Sequence, residues 1–133
     1  MDAKATLLPI LLVEDEENLR EAFTRVLTAA GFRVIVAGRG EDALNRLSRA
    51  EKLAVLVTDI RLPDMYGRRL AERVLEQQPD LRVLYVSGNA EEISREAPPS
   101  ARERFLGKPC DLGELVSTVQ ALAADARAGE GGE

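Results

Sequence analysis

Glu14, Asp15, Asp59, Ser87 and Lys108 are the residues of this sequence whose types and settings suit chemistry. Each group follows a run of strand-forming residues: ILLV before Glu14–Asp15, LVT before Asp59, LYV before Ser87 and FLG before Lys108. If those runs lie side by side as strands, three carboxylates, a hydroxyl and an ammonium meet at one sheet edge. Carboxylates are costly to bury unpaired, and a strand tip roots one rigidly while its oxygens stay at the surface. Three like charges in one crevice repel: at ~4 Å and an effective dielectric near 20, each pair costs about 4 kcal/mol. Lys108 answers with one positive charge, and a hard divalent cation is the natural second. Mg²⁺ takes oxygen ligands in octahedral geometry and keeps several waters, so carboxylates and a backbone carbonyl suit it. Histidine is absent and Cys110 is the one cysteine, which disfavours zinc and copper.

That set is equipment for phosphoryl transfer. Asp59 can attack phosphorus as a carboxylate nucleophile, while the cation and Lys108 neutralise charge on the equatorial oxygens. Ser87 can hydrogen-bond a phosphoryl oxygen once it has arrived. In LVTDIRLPDMYG, Pro63 and Gly67 then turn the chain around the nucleophile. Taken singly, every residue has a plainer reading. Acids after a strand cap the next helix, Lys108 is a surface lysine, Ser87–Gly88 is a turn, and Asp59 is an Asx-turn. The joint placement at four strand ends is what those readings leave unexplained.

The elements that must position these groups are legible as alternating patterns. Strand-length apolar runs occur at Leu8–Val13, Val34–Ala37, Ala54–Thr58, Val83–Val86 and Phe105–Leu106. Between them, Leu19, Ala22, Phe23, Val26, Leu27 and Ala30 repeat at helical spacing. Ala43, Leu44, Leu47 and Ala50 do the same, as do Leu70, Ala71, Val74 and Leu75, then a weaker segment from Ala90 to Ala97 closed by Pro98–Pro99. The last stripe is Leu112, Leu115, Val116, Val119, Leu122 and Ala123, behind an Asp111/Glu114 capping box. Strands that read as solid apolar runs are covered on both faces. Five such βα units imply an α/β fold, a doubly wound five-stranded parallel sheet with helices on both faces. Its functional crevice lies at the carboxyl ends of the strands.

Bulk properties narrow the function further. With 133 residues, 45% of them apolar and 31% charged, the chain fits one domain with a real core. A net charge of −5, with no basic run longer than Arg68–Arg69, argues against a surface built to neutralise a nucleic-acid backbone. No apolar run approaches the ~20 residues of a membrane span. The start, MDAKATLLPILLVED, lacks the features of a signal peptide, and a lone cysteine suits a reducing cytoplasm. Without histidine there is no His-based acid–base catalysis and no phosphohistidine on these residues. The expected layout is an extension at 1–7, one domain at 8–125, and a Gly/Glu-rich tail at 126–133 with nothing to bury.

The stretches ILLVEDEENLR, LVTDIRLPDMYG, RVLYVSGN and FLGKP, in this order and spacing, resemble the receiver domain of two-component response regulators. The resemblance implies a flavodoxin-like sheet of order 2-1-3-4-5 and phosphorylation of Asp59 by phosphohistidine on a sensor histidine kinase or phosphotransfer domain. It implies Mg²⁺, with Mn²⁺ as a substitute, held by Asp15, Asp59 and the backbone carbonyl of Arg61, with Glu14 in the outer acid pair. Lys108 would contact the phosphoryl group, and Ser87 and Phe105 would be the switch pair. Arg61 and Asn89 would tune the lifetime of the acyl phosphate, and Lys108–Pro109 would be a cis bond. Tyr66 departs from the pattern, standing where a small or acidic residue usually caps the third helix.

The resemblance implies a phosphoacceptor signalling domain, not an enzyme, although one that assists its own phosphorylation and dephosphorylation. Two other readings compete. An aspartyl-phosphate phosphatase of the haloacid-dehalogenase type needs a second Asp two residues beyond the first, and Arg61 occupies that place. A pseudo-receiver that only binds partners is a second, but the acids and the lysine are all present here. The pattern fits equally a free single-domain regulator and a receiver from a hybrid histidine kinase.

Overall fold

A computed structural model describes residues 8–47, 52–88 and 102–131, with the side chains of the last helix described through residue 124. The chain order is β1 (Ile10–Val13), α1 (Glu17–Ala29), β2 (Val34–Ala37), α2 (Gly40–Leu47), β3 (Val55–Asp59), α3 (Gly67–Gln77), β4 (Arg82–Ser87), β5 (Glu103–Gly107) and α4 (Leu112–Gly131). The expected helix at Ala90–Ala97 and Asn89 lie outside the described residues.

The five strands form one parallel sheet of order β2-β1-β3-β4-β5. Successive strand residues point to opposite faces, so each solid apolar run feeds two cores. Leu11, Val13, Leu56, Val83 and Tyr85 pack with Ala43 and Leu47 of α2 and Leu70, Ala71 and Val74 of α3. Ile10, Leu12, Val55, Val57, Leu84 and Val86 pack with Phe23 and Leu27 of α1 and Leu115, Val119 and Leu122 of α4. The doubly wound architecture is the outcome of that alternation, with α2 and α3 on one face and α1 and α4 on the other among the described residues.

Element ends follow local chemistry. Leu8 and Pro9 precede β1 instead of beginning it; Pro9 has no N–H to give the ladder, although its carbonyl accepts from Ala54 N at 2.9 Å. Strand β5 is longer than its apolar pair, because Glu103 and Arg104 pair with Val83 and Leu84 through backbone alone. Glu16 caps α1, its Oε1 accepting from Leu19 N at 2.8 Å, and Asp111 caps α4, its Oδ1 accepting from Gly113 N at 2.7 Å. The backbone of α4 stays helical to Gly131, into the stretch expected to lack structure. Ala-rich sequence extends a helix already nucleated without needing an apolar stripe.

Candidate functional site

Parallel register decides which residues share the upper edge of the sheet. Val13 pairs with Thr58, which sets Glu14 and Asp59 at neighbouring strand ends. Ser87 pairs with Gly107, so Lys108 emerges beside Ser87, and its amide donates to the Ser87 carbonyl at 2.7 Å. One carboxylate oxygen from each of Glu14, Asp15 and Asp59 lies within 4.8 Å of the other two. The Lys108 ammonium sits among them, 2.9 Å from Glu14 Oε1 and 2.8 Å from Asp59 Oδ2. Lys108 and Pro109 are joined by a cis bond.

The three acids are held differently. Glu14 is 1% exposed; its second oxygen accepts from Glu16 N at 3.0 Å. Burial raises the Glu14 carboxyl above its ordinary value, against the pull of Lys108 and the Glu16 amide. Burial pulls Lys108 down, but its hydrogen bonds to Asp59 and Glu14 and their charges outweigh this and raise its pKa. Asp15 is exposed and Asp59 half-buried. Arg20 of α1 ties the β1 end in place, its Nη1 donating to the Glu14 carbonyl at 2.9 Å.

Beyond Asp59 the chain forms a short hairpin. Gly67 N donates to the Ile60 carbonyl at 2.7 Å and Leu62 N to the Met65 carbonyl at 3.0 Å, with Arg61 opposite Tyr66 between them. The close return requires Gly67, where any Cβ would collide with the Asp59 carbonyl oxygen. Tyr66 precedes α3 with no side-chain capping bond; its ring carries the Arg61 guanidinium 6.0 Å above its centroid. The hairpin is closed by the Ile60 and Met65 carbonyls.

Ser87 is buried at the end of β4. Phe105 is half-buried on β5 directly opposite Tyr85, and the two rings stack with centroids 4.9 Å apart. Sequence reading singled out Phe105 and passed over Tyr85, because an aromatic inside an apolar run reads as core until its cross-strand neighbour is known. It also passed over Asp64 and Arg20, whose partners lie on other elements. A turn signal at Pro63–Asp64 was the one local hint at Asp64.

Fold and site together define a signalling domain of the two-component type, and the comparisons agree. Residues 10–120 match the family described as the response regulator receiver domain, and the chain belongs to that family. Among curated proteins, it is 33% identical over 114 residues to the response regulator receiver protein CpdR of Brucella abortus, spanning 85% of this chain and 94% of CpdR. It is 34% identical over 115 residues to the sensor kinase CckA of the same organism, again over 85% of this chain but only 12% of that kinase. Among solved structures, a response regulator receiver protein from Sinorhizobium medicae superposes with a TM-score of 0.81 at 30% identity, covering 92% of this chain and 98% of that one. The receiver domain of the hybrid histidine kinase CckA gives 0.74 at 28% identity, covering 86% and 98%. No helix among the described residues is long and apolar enough to cross a membrane.

Proposed function

We propose that this receiver domain accepts a phosphoryl group on Asp59 from phosphohistidine on a sensor histidine kinase or histidine phosphotransfer domain. The observation that carries the reading is the Lys108 ammonium held at 2.9 and 2.8 Å by Glu14 and Asp59, inside a cluster of three carboxylates. One lysine leaves that cluster two positive charges short of neutral, and its donors are all hard oxygens, so the residues fit Mg²⁺. Asp15, Asp59 and the Arg61 carbonyl would hold the ion, with Glu14 behind them. When bound, it would neutralise charge on the transferred group.

The remaining work falls to the chain's own residues. Asp59 supplies the attacking carboxylate oxygen; as its bond to phosphorus forms, the phosphorus–nitrogen bond of the donor breaks and the imidazole leaves with the electron pair. Lys108 turns from its carboxylate contact to the incoming phosphoryl oxygens, and Ser87 donates a hydrogen bond to one of them. Movement of Ser87 then draws Phe105 inward and alters the partner-binding surface beside β5. Arg61 and Asn89 govern access of hydrolytic water, and hence the lifetime of the acyl phosphate. None of the 133 residues is histidine, so the donor imidazole comes from outside this sequence. The lone Cys110 thiol accords with a cytoplasmic setting.

Incubation with acetyl phosphate and Mg²⁺, read by intact mass, tests the assignment. The wild type is expected to gain one phosphoryl group and Asp59→Asn none. Equal labelling of the two proteins would refute Asp59 as the acceptor; no labelling of either would favour a pseudo-receiver.

A further inference from the structure

Helix α2 is not capped by the residues that lead into it. The residues before it, Gly38 and Arg39, bring no capping oxygen. Instead Asp64, at the tip of the hairpin after β3, places one carboxylate oxygen 2.9 Å from Gly40 N and the other 2.9 Å from Glu41 N, across 24 and 23 residues of sequence. Both amides belong to the first turn, where a helix presents unsatisfied donors and partial positive charge. The packing beside this clamp is equally close: a Cβ on Gly40 would lie 2.5 Å from the Met65 sulfur. Slight burial raises the Asp64 carboxyl, but the Glu41 and Gly40 amides and the nearby Arg39 charge outweigh it and hold it below its ordinary value.

The other end of the same hairpin carries Arg61. Arg61 and Tyr66 form the antiparallel pair between the two hairpin bonds, and residues of such a pair direct their own N–H and C=O away from each other. The orientation of the Arg61 carbonyl is therefore set by the hairpin as a body. A hairpin this short is marginal alone; Ile60 and Leu62 anchor it in the core, with Met65 packed against that core, and Asp64 fixes its tip on α2. We propose that Asp64 is a positioning residue: by clamping the hairpin tip to α2 it holds the Arg61 carbonyl where the cation needs it, and so couples the metal site to α2. This rests on the Mg²⁺ site of the reading above. Linkage is reciprocal, so cation binding must in turn tighten the clamp.

Two measurements test this. Calorimetric titration of MgCl₂ into wild type, Asp64→Ala, Asp64→Asn and Leu122→Ala compares affinities. Outer-shell support of a metal site is typically worth 10–100-fold, and Asp64→Ala is expected to lose about tenfold. Asp64→Asn keeps one acceptor and is expected to fall between Asp64→Ala and wild type. Leu122→Ala lowers stability from the α4 side of the sheet and is expected to leave affinity unchanged. Amide hydrogen exchange of the wild type, with and without Mg²⁺, is expected to show exchange at Gly40 and Glu41 slowed by the ion more than at core amides of β1, which report the global gain in stability; a purely structural cap would not give that excess. Unaltered affinity in Asp64→Asn together with no such excess would overturn the coupling, even if Asp64→Ala failed to fold. Failure of the wild type itself to bind Mg²⁺ would instead overturn the metal reading beneath it.

Discussion

Two of the places among the described residues where a cation meets a carboxylate are built to different ends. At the strand ends, Lys108 makes contacts of 2.9 and 2.8 Å with Glu14 and Asp59. Between α3 and β5, Arg68 Nη1 stands 3.7 Å from Glu103 Oε1, and those two buried atoms make no hydrogen bond. The guanidinium lies 5.7 Å from the centre of the Tyr85 ring. The second brings one guanidinium to one carboxylate over an aromatic face, where a cation gains a further contact. The first is unbalanced, with three carboxylates around one ammonium, and keeps its charges close enough to receive another cation. A buried ion pair is weak evidence for stability by itself; the surplus of charge separates a site from a packing feature.

The largest effect that would sharpen this contrast is at Lys108. In chelator, Lys108→Met leaves Glu14 buried with no ammonium beside it, and urea unfolding is expected to show a loss of about 3 kcal/mol. Adding Glu14→Gln should restore part of it. A single variant as stable as wild type would break the comparison, because the ammonium would then be doing nothing for the carboxylates around it.

A smaller effect is expected at Arg68. Arg68→Met alone leaves the Glu103 carboxylate facing an apolar neighbour and should cost about 1–2 kcal/mol. The double variant Arg68→Met/Glu103→Leu is expected to unfold within about 1 kcal/mol of wild type and still to take up one phosphoryl group from acetyl phosphate. A double variant that folds but cannot be phosphorylated would move this pair from packing into the site.

The smallest effects are in pH dependence. Burial raises the Glu103 carboxyl above 4.5 against the opposing Arg68 charge, so the folded state binds that proton more tightly than the unfolded. The protonated carboxyl therefore adds stability that is complete below 4.5 and lost as pH rises through the raised value. Melting temperatures of wild type relative to Glu103→Gln should rise as pH falls through that window. Lys108 shifts upward too, so its contribution is intact below 10.5 and lost only as pH climbs above it. Parallel melting curves for wild type and Glu103→Gln across the acid window would mean that burial leaves this carboxyl unperturbed.

Much of the fold was legible because its signals are local. Solid apolar runs marked all five strands, and stripes such as Leu115, Val119 and Leu122 marked the helices that cover them. The strand ends were less exact: Glu103 and Arg104 carry no apolar signal, yet they join β5 through backbone hydrogen bonds that side-chain pattern does not encode. At the site, the order of acids, hydroxyl and lysine along the chain was readable, since each follows a strand. Their unequal settings were not. Glu14 and Asp15 are adjacent in sequence, but one is buried against Lys108 and the other is exposed.

By itself, the sequence determined which segments become strands and helices, and that Glu14, Asp59, Ser87 and Lys108 emerge at strand tips. Those outcomes depend on the spacing of apolar residues within a few turns of chain. Only the tertiary structure decided that Lys108 reaches Asp59 across 49 residues, that Asp64 closes the end of a helix that precedes it, and that Phe105 lies on Tyr85. Each of those contacts depends on the parallel register of separate strands and on which helix lies beside which loop, and both are set by burying two faces of one sheet at once.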